Sequence, residues 1–204
     1  MSPPSPRLFL LLHHISKRQN VRTLLTSAAA FGAEVLVVGQ PGFDELSHVP
    51  KRLATAFAAV EGEAEPPHPP TPLYRRFDGT LEECRDYLHA QNIQVWGIEI
   101  GETAVNVEEA PWDKGGGGGG GGGVALLLGN EGTGMSSRQA RVCDGFMYIS
   151  QYGQGTASLN VAVAGSIVMH RYSVWAAAKR QQERKIKEEM KEKGNEMEER
   201  RYKP

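Results

Sequence analysis

This 204-residue chain has two cysteines, 7% aromatic residues and a formal charge of −1, and no apolar run long enough to span a membrane. Each shortage excludes something. Cys84 and Cys143 offer no disulfide framework and no metal-ligand spacing, so both read as packing residues in a reducing compartment, with the cytoplasm expected and nuclear or organellar locations left open. The run Leu8 to Leu12 is too short for the core of a signal sequence and far short of the ~20 residues a membrane helix needs. The near-neutral balance does not advertise a polyanionic partner, although it hides a local asymmetry: residues 179–204 carry +3 and the remainder −4. The six histidines are scattered, which predicts no metal site.

What is present is an alternation of strand-like and helix-like segments. Arg7 to Ile15 reads as a first strand, and Val21, Leu24, Leu25 and Ala28 then recur at helical spacing up to Gly32, with Asn20 placed to cap that helix. Glu34 to Gly39 is a second strand and 46–60 a weaker helix. The proline-rich stretch 61–72 forbids regular structure. Leu73 to Phe77 follows as a short strand, 80–91 as a helix and Gln94 to Ile100 as the strand it feeds. Nine consecutive glycines, 115–123, have nothing to bury and read as a spacer. Val124 to Gly129 is a strand, Ser136 to Cys143 a helix, and 146–150 a strand. A long helix from Ser158 is expected to pack Leu159, Val163, Ile167, His170 and Val174 on the sheet, before continuing as a tail charged on every face. The pattern predicts an α/β fold: a mainly parallel sheet with helices on both faces, occupying 8–178 between a short N-terminal segment, 1–7, and the charged tail, 179–204.

Two late segments concentrate small and polar residues where strands end, the usual place for ligands in open α/β sheets: Gly129 to Ser136 (GNEGTGMS) and Thr156 to Tyr172 (TASLNVAVAGSIVMHRY). The first is not a phosphate-binding P-loop. Met135 stands where the lysine would meet the phosphates, and Glu131 would bring a carboxylate into an anion site. No dinucleotide fingerprint is present either.

Taken together, KRQNVRTLLTSAAAFGAEVLVVG near the N-terminus, LLLGNEGTGMS, and YISQYGQGTASLNVAVAGSIVMHRY resemble the three motifs of the SpoU (TrmH-like) RNA ribose methyltransferases of the SPOUT superfamily, over about residues 8 to 178. The resemblance implies a deep C-terminal trefoil knot, S-adenosylmethionine held bent within it, and an obligate homodimer with its active site at the subunit interface. It implies methyl transfer to a ribose 2′-hydroxyl of tRNA or rRNA, with no metal.

Carried over by position, Ile98, Leu128, Gly129, Ile149 and Leu159 would hold the cofactor, while Asn20, Arg22, Glu131, Ser158 and Asn160 would form the polar catalytic group. Ser158 also suits an ordinary helix N-cap. One position departs from the family pattern. The arginine usually found six residues after the first-motif asparagine is Thr26 here, and Arg22, one helical turn earlier on the same face, is the candidate replacement. RNA grip is expected from the dimer surface, helped by the basic tail and Arg75 and Arg76. A catalytically silent RNA-binding dimer is the alternative that Thr26 favours.

Overall fold

The computed structural model describes residues 7–54, 73–114, 122–130, 132–153 and 158–201. The proline-rich stretch, most of the glycine run, Glu131 and the end of the helix expected over 46–60 lie outside the described residues.

Seven strands form one sheet: β1 (Arg7–Leu12), β2 (Glu34–Val38), β3 (Arg75–Phe77), β4 (Ile93–Ile98), β5 (Val105–Asn106), β6 (Gly123–Leu128) and β7 (Gly145–Tyr148). Every pairing is parallel, in the order β3-β2-β1-β6-β4-β7-β5. Strand β6 has no polar side chain, and β1 and β4 are apolar apart from Arg7 and Gln94, because both faces of these central strands are covered. In β1, Leu8, Leu10 and Leu12 enter one core cluster while Phe9 and Leu11 enter the other. In β6, Val124, Leu126 and Leu128 oppose Ala125 and Leu127 in the same way.

The first face is covered by α1 (Arg18–Phe31) and α6 (Val161–Arg201), the second by α3 (Leu81–His89) and α5 (Ser137–Val142). Two short helices, α2 (Glu45–His48) and α4 (Pro111–Lys114), complete the set, with a further helical turn over 51–54. Both helices on the second face begin with reciprocal capping boxes, Thr80 with Glu83 and Ser136 with Gln139. Helix α1 buries the predicted stripe Val21, Leu24, Leu25 and Ala28 and ends at Gly32, whose φ of 70° supplies the left-handed turn.

Three expectations are corrected. Asn20 does not cap α1: the helix starts at Arg18, Lys17 holds the cap position without a side-chain bond, and Asn20 is buried inside the first turn. Helix α6 starts at Val161, not Ser158, and its cap is Asn160, whose Oδ1 accepts from the amides of Ala162 (2.9 Å) and Val163 (3.3 Å). Its buried stripe is Val161, Ala162, Val168, Met169, Tyr172 and Ala176, leaving Val163 45% and Val174 51% exposed. The reason is small residues. A Cβ at Gly165 would lie 2.7 Å from Leu24 Cδ2, so α1 approaches α6 where Ala162 and Gly165 give it room, and the bulkier stripe turns outward. The region 101–114, unread in the sequence, forms β5, a 3₁₀ turn and α4, and sets Trp112 against Tyr172 with ring centroids 5.3 Å apart.

Candidate active site

The sequence of strand placements reverses around β1, β6 and β4, since β2 and β3 lie to one side and β7 and β5 to the other. Beyond the C-terminal ends of β4, β6 and β7 opens a cavity of about 520 Å³. Ile98 closes β4, Leu128 closes β6 and Ile149 follows β7; with Leu159 these supply its apolar walls. Gly129, Ser158 and Asn160 line it as well. Seven of the ten residues singled out in the sequence therefore share one cavity.

The turn after β6 is held from several sides. Asn130 and Gly134 exchange backbone hydrogen bonds of 2.8 and 3.0 Å, closing a loop over Gly129. A Cβ on Gly129 would lie 2.5 Å from the Gly134 carbonyl carbon and 2.6 Å from the Met135 nitrogen, so glycine is required by backbone approach alone. The Asn130 amide donates to the His14 carbonyl (2.9 Å), which ties this loop to the end of β1. Glu99 Oε2 accepts from the Met135 amide (3.0 Å), and the buried Gln139 donates to the Leu128 carbonyl (3.1 Å).

The start of α6 is tied to the start of α1. Asn160 Nδ2 donates to Asn20 Oδ1 (3.1 Å) while Asn160 Oδ1 caps α6, so one side chain joins two helices. Asn20 stands behind the cavity wall and does not line it. Arg22 is elsewhere. Its Nη1 donates to the Ser47 carbonyl (3.0 Å), and it lines a second cleft together with Thr26, whose hydroxyl donates to the Arg22 carbonyl (2.9 Å). The two positions do share one space, as their helical spacing requires, but within a single chain that space is not the cavity. Glu131 lies outside the described residues.

Sequence reasoning missed Lys17, Glu99 and Gln151, which also line the cavity. Glu99 is the residue after Ile98 at the strand end, a position where a lining side chain is to be looked for. Gln151 Oε1 is buried with no hydrogen-bond partner among the described residues. Both thiols are chemically quiet: burial pushes Cys84 and Cys143 up to about 12. Among the described residues no three His, Cys, Asp or Glu side chains converge as metal ligands, and no described helix is long and apolar enough to cross a membrane.

A model of the SpoU rRNA Methylase family matches residues 7–170. The chain is 27% identical over 164 residues to the Bacillus subtilis (strain 168) 23S rRNA (guanosine(2553)-2'-O)-methyltransferase RlmP, covering 80% of this chain and 57% of that protein. It is 26% identical to an uncharacterized tRNA/rRNA methyltransferase of Mycolicibacterium gilvum (strain PYR-GCK), covering 82% and 46%. The chain thus spans about half the length of the curated relatives it matches. Among solved structures, the AdoMet-bound rRNA methyltransferase from Sinorhizobium meliloti superposes with a TM-score of 0.61 at 23% identity, over 84% of this chain and 57% of that one. The A. aeolicus TrmH/SpoU tRNA modifying enzyme gives 0.62 at 16% identity, over 87% and 79%. At these identities the structural likeness speaks for the fold.

Proposed function

Because the chain belongs to the SpoU rRNA methylase family, we propose that it transfers a methyl group from S-adenosylmethionine to a ribose 2′-hydroxyl of tRNA or rRNA. The observation that carries this reading is the convergence of Ile98, Leu128, Gly129, Ile149, Ser158, Leu159 and Asn160 on one cavity beyond three parallel strands. The lining fits an adenosine-bearing ligand in kind. Four aliphatic side chains suit the faces of a purine, the backbone at Gly129 and Ile149 can read its edge, and Gln151 brings a buried acceptor that lacks a donor. The Bacillus subtilis relative is a 23S rRNA 2′-O-methyltransferase, which agrees with ribose as the target.

When bound, the cofactor supplies the electrophilic methyl carbon; the protein's share is alignment and help with a weakly acidic hydroxyl proton. In this reading Asn160 fixes the wall by capping α6 while holding Asn20, and Ser158 presents a hydroxyl at the cavity. Lys17 adds a cation to the cavity lining, Glu131 keeps the polar role that the family resemblance gives it, and Arg22 acts on the ribose hydroxyl and its phosphate in the cavity of a second copy. A homodimer is supported by apolar residues left outside on α6, Val163 and Val174. A trefoil knot in the last third belongs to the same proposal, with residues 8–178 as the methyltransferase unit and 179–204 as the charged tail, into which α6 continues as far as Arg201.

The runner-up is a silent RNA-binding dimer, favoured by Thr26 and by the Arg22 bond to Ser47. Calorimetric titration with S-adenosylmethionine, then methyl transfer to total RNA with mapping of 2′-O-methyl sites, separates the two. Binding without transfer supports the silent dimer, and no binding removes both cofactor-based readings.

A further inference from the structure

The second cleft, about 490 Å³, is made of different material from the cavity. On α1, Gln19, Arg22, Thr23, Thr26 and Ser27 fall at i, i+3, i+4, i+7 and i+8 and form one outward face. Pro50, Lys51 and Arg52 stand across from them. Among the described residues the lining holds three cations and three hydroxyls and no carboxylate. In a chain of net charge −1 this is a local concentration of one sign, set in a concave surface.

Its floor is pre-organised. Arg22 is half-buried and held by the Ser47 carbonyl, Thr26 by the Arg22 carbonyl, and Ser27 by Ser166 of α6 at 2.7 Å. That single bond engages one guanidinium nitrogen and leaves other N–H donors of Arg22 available to an anion. Lys51 and Arg52 stand exposed on the opposite wall, where long cationic side chains can close on a ligand.

We propose that this cleft seats backbone phosphates of the RNA substrate, gripped between Arg22 on α1 and the Lys51–Arg52 pair. The inference rests on the RNA reading above and adds to it a site and two residues, Lys51 and Arg52, that no motif marks. Phosphate contacts of this kind position the strand without reading its sequence.

The test uses the full chain, a fluorescently labelled mixed-sequence RNA followed by anisotropy across a salt series, and S-adenosylhomocysteine followed by calorimetry. The Lys51→Ala/Arg52→Ala variant changes two exposed side chains, and thermal melting checks that it folds. The expected result is RNA affinity about tenfold weaker, with the slope of log affinity against log salt reduced by about 1.4, as for two lost single-strand phosphate contacts, and unchanged nucleoside binding. Unchanged RNA affinity and slope in the variant overturn the proposal while leaving the function intact. Wild-type protein that binds the nucleoside but no RNA overturns the proposal and the RNA half of the function; binding of neither overturns both entirely. Loss confined to inorganic phosphate or to polyglutamate competition, with RNA unaffected, reassigns the cleft and also overturns the proposal.

Discussion

The cavity beyond β4, β6 and β7 and the cleft beside α1 have nearly the same volume and opposite construction. The cavity is made of strand ends, a glycine turn and aliphatic walls, and its polar atoms are largely spoken for by the fold. The cleft is made of side chains standing on helical segments, several of them exposed. Substitutions at the first must therefore disturb stability and ligand binding together, whereas substitutions at the outer wall of the second must disturb binding alone and do so in a salt-dependent way.

The largest effect that would break this contrast lies at Gly129. Valine there would drive its Cβ into the Gly134–Met135 backbone, so the loop must open. Gly129→Val is expected to abolish cofactor binding by calorimetry and to lower stability by about 1–3 kcal/mol in urea melts. Asn160→Ala comes next. It removes a helix cap, costing about 1 kcal/mol, and leaves Asn20 Oδ1 buried without that donor, costing a further ~1–3 kcal/mol. A double-mutant cycle with Asn20→Ala should return a clear coupling energy, and strict additivity would mean that the two asparagines act separately. Arg22→Ala should weaken RNA binding and lower methyl transfer while leaving cofactor affinity intact; unchanged turnover would take Arg22 out of the reaction.

The smallest effect is a pH dependence. His13, buried at the end of β1, bonds through Nδ1 to the Val38 carbonyl at 2.7 Å, and burial holds its pKa below the usual 6.5 despite that carbonyl. The unfolded chain then binds the proton more readily than the folded one. This contribution to stability is fully present above pH 6.5 and is lost as pH falls toward the depressed folded value. His13→Asn, which keeps a donor for Val38 but does not titrate, should flatten the acid side of a stability profile measured by chemical denaturation.

Much of this was legible in the sequence, and the parts that were not share a cause. Strands β1, β2 and β6 announce themselves because a strand buried on both faces is apolar along nearly its whole length, Arg7 and Glu34 at the starts of β1 and β2 excepted, while the lining residues Gly129, Ile149 and Leu159 were legible only through the resemblance to the family's motifs. The α6 stripe was misread because 161–176 carries apolar residues on two sides, so periodicity allows two solutions and only the close approach of α1 at Gly165 chooses between them. Asn20 was misread because an asparagine near a helix start suits a cap and a buried tie equally, and its partner Asn160 is 140 residues away. The same distance problem hid the cleft, since Lys51 and Arg52 meet α1 only through the turn after β2. Strand β5, two residues long, has no periodicity to detect.

The central claim is that an adenosine-bearing methyl donor occupies the cavity closed by Gly129 and Asn160. Calorimetric titration of S-adenosylmethionine into the wild-type chain, the Gly129→Val variant and the Lys51→Ala/Arg52→Ala variant tests it most directly. Saturable binding of one donor per chain in the first and third, with none in the second, is the expected result; no binding by the wild-type chain, or equal binding by the Gly129→Val variant, would contradict it.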